Sequence, residues 1–251
     1  MIIDAPGKEL RPGLRRLWQE AFGDTDVFLD GFFATGFSPD RCCCVLEEGH
    51  LAAALYWFDC NLQDRKLAYI YAVATAASFR GKGLCRQLME HTHRHLQRQG
   101  YEGAVLVPGD QGLFRLYEKL GYRSFCPMTH TRIPAGTPIP LRPLTGGAYT
   151  AERRQYLPGG GIVQEGATVE FLSTFTAFYA LDGGILCAAK EDKTLYVQEY
   201  LGDSSGLPGA IAALGCDTGH VYLPGKGTDR AMYLPLSPTA PQPTYLGLAL
   251  N

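Results

Sequence analysis

One stretch constrains the fold more than any other. Val73-Ala74-Thr75 closes an apolar, strand-like run over residues 67–75, and Arg80-Gly81-Lys82-Gly83-Leu84-Cys85 then opens a helix-periodic segment over 83–99 that Gly100 ends. A short apolar run at 104–107 follows. A strand–helix–strand passage of this length requires a crossover, so the two strands are parallel. Residues 41–46 and 51–59 flank a Glu47-Glu48-Gly49-His50 turn and read as an antiparallel hairpin. The sheet is therefore mixed. Helical spacing at Leu10, Leu14, Leu17 and Trp18, and again at Phe28, Leu29, Phe32 and Phe33, supplies two helices ahead of it.

The loop has a chemistry of its own. A helix start presents unpaired N–H groups and a partial positive charge, which suits phosphates. Gly81 and Gly83 let the backbone approach a pyrophosphate, and Arg80 and Lys82 add charge. Further on, Leu113-Phe114-Arg115-Leu116-Tyr117-Glu118-Lys119-Leu120-Gly121-Tyr122 reads as a short helix stopped by glycine, followed by a strand over 122–126.

Together these two motifs, in this order, make residues 1–130 resemble the GNAT superfamily of Gcn5-related N-acetyltransferases. The resemblance implies an α/β (α+β) fold: a mixed, largely antiparallel twisted sheet flanked by helices. It implies acetyl-CoA as co-substrate, no metal, and transfer of the acetyl group to a small-molecule or peptide amine by direct attack in a ternary complex. Val73, Ala74 and Thr75 match the strand that binds the pantetheine arm and polarises the thioester. Arg80, Gly81, Lys82, Gly83, Leu84 and Cys85 match the pyrophosphate loop, and Tyr117 matches the general acid toward the departing thiolate. Three positions depart from the pattern. Ala77 stands where proline is common, Cys85 replaces a glycine or alanine, and Gly109-Asp110 occupy the place of a frequent asparagine. No Asp or Glu occurs between Arg65 and Met89. Asp59, Asp64, a water chain and the terminal carboxylate of Asn251 stay open as the base. A catalytically inactive acyl-CoA-binding sensor is the alternative reading.

Other features carry weaker expectations. His91 and His95 have a metal-compatible spacing but no evident third ligand, so a solvated helix face is expected. Phe28, Phe32, Phe33, Tyr56, Phe58 and Tyr71 are core candidates, some of which border an acceptor pocket. Glu20, Asp24, Asp26 and Asp30 fit either a cationic acceptor or a solvated surface.

Pro134, Pro138, Pro140 and Pro143 mark a linker without regular structure over 131–147. Residues 148–251 then read as a smaller, degenerate GNAT-like half: hairpin strands at 170–181 and 185–190, a strand at 194–200, a helix at 207–214, and strands at 220–223 and 231–234. Its loop, Leu201-Gly202-Asp203-Ser204-Ser205-Gly206, has no basic residue, so this half is expected to complete the fold or shape the acceptor cleft and not to bind cofactor. The apolar tail at 245–250 is expected to pack back on the body, as an added strand. A net charge of -2 argues against nucleic acid as a main partner. No apolar run suits a membrane span, and the start of the chain lacks a secretory pattern. Eight cysteines without a C-x-x-C pair read as small buried hydrophobes in a reducing, cytoplasmic setting.

Overall fold

In the computed structural model, which describes residues 1–250, the chain opens with β1 (Ile2–Asp4), laid antiparallel on β2 (Cys42–Glu47) with Ile3 opposite Cys44. Between them lie α1 (Arg11–Phe22), α2 (Asp26–Gly31) and a π-helical turn at Phe32–Gly36. Helix α1 buries Leu14, Leu17 and Trp18 and ends on Gly23 at φ 73°, whose N–H returns to the Gln19 carbonyl. Thr25 caps α2 by accepting from the Phe28 N–H.

Strands β3 (His50–Leu62) and β4 (Arg65–Thr75) complete an antiparallel run with β2. Helix α3 (Leu84–Arg98) crosses over to β5 (Gly103–Leu106), which lies parallel to β4. The short α4 (Gln111–Glu118) then leads into β6 (Arg123–Pro134). The chain groups into two units. The first is Met1–Arg123 with Tyr233–Pro241; the second is Ser124–Met232 with the chain from Gln242 onward.

In the first unit the strands run β1-β2-β3-β4-β5. Two irregularities in β4 shape its end. Ala54 faces Ala74 while Tyr56 faces Tyr71, so Ala72 and Val73 together oppose Leu55. Ala72 sits at φ 48°, as an extra residue in a β-bulge does. Moreover, β4 pairs with β5 only from Leu67 to Tyr69, opposite Gly103 to Val105. Beyond Tyr69 the two strands part.

The second unit adds β7 (Arg142–Leu144), α5 (Gly146–Tyr156), β8 (Val163–Gln164), α6 (Ala167–Leu172), β9 (Ala177–Leu181), β10 (Gly184–Glu191), β11 (Thr194–Gly202), α7 (Leu207–Ala213), β12 (Thr218–Pro224) and β13 (Thr228–Pro235), whose last residues belong to the first unit. Its strand order is β6-β12-β11-β10-β9-β7. Strands β9, β10 and β11 are antiparallel, and α7 crosses to a parallel β12. This is the order and direction of β2-β3-β4-α3-β5.

Three expectations need correcting. The proline-rich stretch is not devoid of regular structure: β6 runs to Pro134, and Pro143 lies within β7. Strand β7 is the edge, where a missing N–H is tolerated. Residues 170–181 are not one strand. Val169 and Leu172 share a buried helical face in α6, and β9 starts only after a turn in which Thr176 donates to the Leu172 carbonyl. The tail is buried from Tyr245 to Leu250 but joins no strand, making only an isolated parallel bridge from Tyr245 to Gly161.

Candidate active site

The start of α3 is built as the sequence dictates. Gly81 and Gly83 take φ of 78° and 77°, a conformation that L side chains avoid. The helix has no side-chain N-cap. Among the described residues, no hydrogen bond occupies the backbone N–H groups from Gly81 to Arg86; the first helical bond is from the Gln87 N–H to Gly83. Six consecutive donors therefore stand open at the positive end of a 15-residue helix. Arg80 folds back, its Nε donating to the Thr75 carbonyl at 3.1 Å, which ties the loop to the end of β4. The Lys82 ammonium lies 4.8 Å from the Phe79 ring centroid. The loop residues Arg80 to Gly83 are exposed, whereas Leu84 is buried. Such a set of donors and cations fits a pyrophosphate.

The end of β4 faces the same region. The Ala76 N–H bonds to the Ala52 carbonyl. Antiparallel alternation then turns the N–H groups of Val73 and Thr75 away from β3, toward the side that β5 has left. An acyl chain laid along that edge would find backbone partners where a neighbouring strand is missing.

Tyr117 sits near the end of α4, 6% exposed, its ring edge-to-face with Tyr122 at 5.7 Å. Its hydroxyl makes no hydrogen bond among the described residues. Burial, then the Cys85 thiol and the Asp110 carboxylate, push its pKa above the ordinary tyrosine value. The structure thus brings Tyr117 and Cys85 together. Burial also raises the Cys85 thiol, as expected of a packed side chain and not a reactive one. Asp110, where the resemblance favours asparagine, caps α4 by accepting from the N–H groups of Gly112 at 2.7 Å and Leu113 at 3.0 Å.

The candidate bases separate. Asp59 is taken up by Arg41 at 3.2 Å and by the Tyr101 hydroxyl, and it lies opposite Ala68. Ala68 is five residues from Val73, roughly 16 Å along the strand. Asp64 lies in the turn between β3 and β4, farther still. Asn251 lies outside the described residues.

On the acidic side, Asp26 and Asp30 are paired with Arg15, and Asp24 accepts from the Trp18 indole at 2.7 Å. Glu20 accepts from the Ala77 N–H at 2.6 Å. A proline at position 77 would have no such donor, so the departure from the family pattern is coupled to a carboxylate on α1. The sequence offered Glu20 only as one of an acidic group, and nothing in it paired Glu20 with Ala77. Of the six aromatics, Phe32, Phe33, Tyr56 and Phe58 are core, and Phe28 and Tyr71 keep some exposure. His91 and His95 do not face solvent alone. Both reach Asp4 of β1, at 2.7 and 3.2 Å, because β1 runs beside the cysteine strand under α3. Among the described residues no group of three or more His, Cys, Asp or Glu could hold a metal ion.

The family model for the acetyltransferase (GNAT) domain matches residues 4–125. Solved structures share the fold. A GCN5-related N-acetyltransferase from Anabaena variabilis ATCC 29413 superimposes with a TM-score of 0.74 at 18% identity, over 94% of this chain and 73% of that one. A probable N-acyltransferase of unknown function from Enterococcus faecalis V583 gives 0.70 at 16%, over 94% and 72%. Eis1 from Mycobacterium abscessus gives 0.68 at 11%, over 94% and 73%. No curated protein matches the sequence. The match to the acetyltransferase (GNAT) domain family lies in the first half of the chain and spans the β4 edge, the open amides at the start of α3 and Tyr117.

Proposed function

We propose that the protein is an N-acetyltransferase that moves an acetyl group from acetyl-CoA to an amine by direct attack, with both substrates bound. The observation that carries this reading is the pairing of two features in one unit: six amides from Gly81 to Arg86 that are open among the described residues, and a β4 edge from which β5 departs beyond Tyr69. Acetyl-CoA supplies the thioester. Residues Arg80 to Cys85 hold its pyrophosphate through backbone donors, with Arg80 and Lys82 adding charge. Val73, Ala74 and Thr75 bind the pantetheine arm, and a strand N–H stabilises the negative charge that develops on the thioester oxygen.

Tyr117 meets the departing thiolate. A thiol titrates near ~8.5 and a tyrosine near ~10, so full proton transfer is uphill by about 2 kcal/mol before any shift. The upward shift of Tyr117 steepens that climb. The phenol therefore acts by donating a strong hydrogen bond, and the proton that finally reaches the thiolate is the one the product amine releases. On the acceptor side, Glu20 at the Ala77 N–H and Asp24 beside Trp18 favour a cationic amine, presented against the exposed parts of Phe28 and Tyr71. The second unit, whose loop after β11 lacks cations, binds no cofactor. Among the described residues no helix is long and apolar enough to cross a membrane. No disulfide joins any of the eight cysteines among the described residues, and so many unpaired thiols suit a reducing, cytoplasmic setting.

A panel of primary amines and N-terminal peptides, incubated with acetyl-CoA and followed by free thiol, tests the reading. Thiol release that depends on one acceptor class, with the acetylated amine seen by mass spectrometry, is the expected result. Tight acetyl-CoA binding with no turnover on any amine would favour the sensor instead.

A further inference from the structure

In the second unit, β9 and β10 set two alanines against each other, Ala177 opposite Ala188. Directly opposed residues share a face, as do residues two apart on one strand. Tyr179 of β9, Lys190 of β10 and Leu195, which lies opposite Lys190 on β11, therefore stand on the same face. It is the face whose buried residues cluster with Ala210 and Ile211 of α7. The two alanines leave a low floor between taller neighbours. Helix α7 stops at Ala213, and Leu214 just beyond it lines the recess that results, together with residues 174–176 ahead of β9. The recess measures about 330 Å³, within the range of small-molecule sites. It opens to water: Ala177 is exposed, and Tyr179 and Leu214 are half-buried.

The polar groups at the recess are few and of one kind. Lys190 is the one charged side chain among the described residues that line it. The Thr174 and Thr176 hydroxyls are spent as donors on the Phe171 and Leu172 carbonyls, each at 2.7 Å. The Tyr179 hydroxyl has no hydrogen-bond partner among the described residues. Lys190 reaches past Leu195 and donates to the Leu214 carbonyl at 2.8 Å, which fixes the ammonium at the rim and leaves two of its hydrogens open. Lys193 donates to the next carbonyl, that of Gly215, at 3.4 Å. Two ammonium groups thus meet the end of a seven-residue helix, which presents about half a negative charge. Neither lysine forms an ion pair among the described residues, so the rim keeps a positive excess. An ammonium ligand would be repelled there, and a phosphate ester of a sugar would leave the apolar floor uncovered. We infer that this recess is a ligand site for a small monocarboxylic acid with an apolar chain, its carboxylate on Lys190 and its chain over Ala177 and Ala188.

Titration of the methyl-labelled full chain with sodium hexanoate, followed by NMR, tests the site. The methyl signals of Ala177, Ala188, Leu195 and Leu214 report the recess, and those of Leu84 report the cofactor loop. Saturable shifts at the first four, with Leu84 unmoved, are expected. Hexanol, which keeps the chain and loses the charge, should bind about threefold to fivefold more weakly, the scale of an exposed ion pair. Acetate, four methylenes shorter, should bind about a hundredfold more weakly. Lys190→Gln keeps a donor for the Leu214 carbonyl and should weaken hexanoate as much as the loss of charge in hexanol does. Ala177→Leu, at an exposed position, should fill the floor and abolish the saturable shifts. Unchanged thermal melts would show that both variants are folded, and the comparison of the three ligands needs no variant. No saturable shift at millimolar hexanoate, hexanol binding as tightly as hexanoate, or shifts confined to Leu84 would overturn the inference. So would methyl shifts that follow protein concentration and ignore hexanoate, which would give the recess to a second copy of the chain.

Discussion

Tyr117 combines burial, an unengaged hydroxyl and two neighbours that disfavour its ionisation. Tyr117→Phe should leave acetyl-CoA affinity nearly unchanged and lower turnover by about 10² to 10⁴. Because the shift is upward, the phenol stays protonated across the working range, and the wild-type rate profile should show no alkaline limb from Tyr117 below pH ~10. A limb near pH 8 that vanishes in the phenylalanine variant would contradict this. Tyr117 was legible because a contiguous motif, from Leu113 to Tyr122, carries it. The tie between Glu20 and Ala77 was not, because the two are 57 residues apart and no local pattern links them. Ala76 is already extended at φ −56°, ψ 140°, and Ala77 opens a 3-10 turn, so position 77 can accept proline. Ala77→Pro would remove the donor to an exposed Glu20 and should change stability by no more than about 0.5 kcal/mol in thermal melts.

At the scale of elements, α3 does two things. Its first turn opens toward the cofactor loop, and its middle holds His93 in the interior, hydrogen-bonded to the Tyr122 hydroxyl at 2.8 Å. Burial lowers the His93 pKa from 6.5 to about 4. The unfolded chain therefore binds a proton on His93 between pH 6.5 and 4 that the folded chain refuses. Stability from this group is full above pH 6.5 and is lost as pH falls toward 4, to a limit of about 3 kcal/mol. Replacing His93 with Gln should flatten that acid limb in denaturant titrations, and an unchanged slope would contradict the assignment. The elements of the first unit were readable from periodicity and glycine punctuation. Strand β1 was not, since three residues give no period, and neither was α5, whose Gly146-Gly147 start hides a helix capped by Thr145.

At the scale of the whole molecule, neither unit is one continuous stretch. Residues 233–241 return to the first unit, where the N–H groups of Leu236 and Ser237 bond to the Glu102 carbonyl and Gln97 holds the Leu236 carbonyl. A cut after Pro138 would strip that segment from the acetyltransferase unit. Contacts this distant in sequence leave no trace in local composition, which is why a proline-marked boundary was the natural reading. The second unit is fastened by a buried ion pair. Arg153 donates to both oxygens of Glu199, at 2.7 and 2.8 Å, and Tyr149 and the tail residue Tyr245 donate to the same carboxylate. Gln164 holds the Leu248 carbonyl. Removing the carboxylate with Glu199→Ala leaves a buried guanidinium unpaired and should cost about 3–5 kcal/mol in denaturant unfolding. The second unit repeats the strand order of the first without its cations, so under the proposed function a single loop, Arg80 to Cys85, takes the cofactor. Titration calorimetry of acetyl-CoA into the full chain and into the Arg80→Glu, Lys82→Glu double variant measures this directly. One acetyl-CoA per wild-type chain and no binding by the folded double variant are expected; two sites per chain, or unchanged affinity after the charge reversal, would contradict a single phosphate-binding loop.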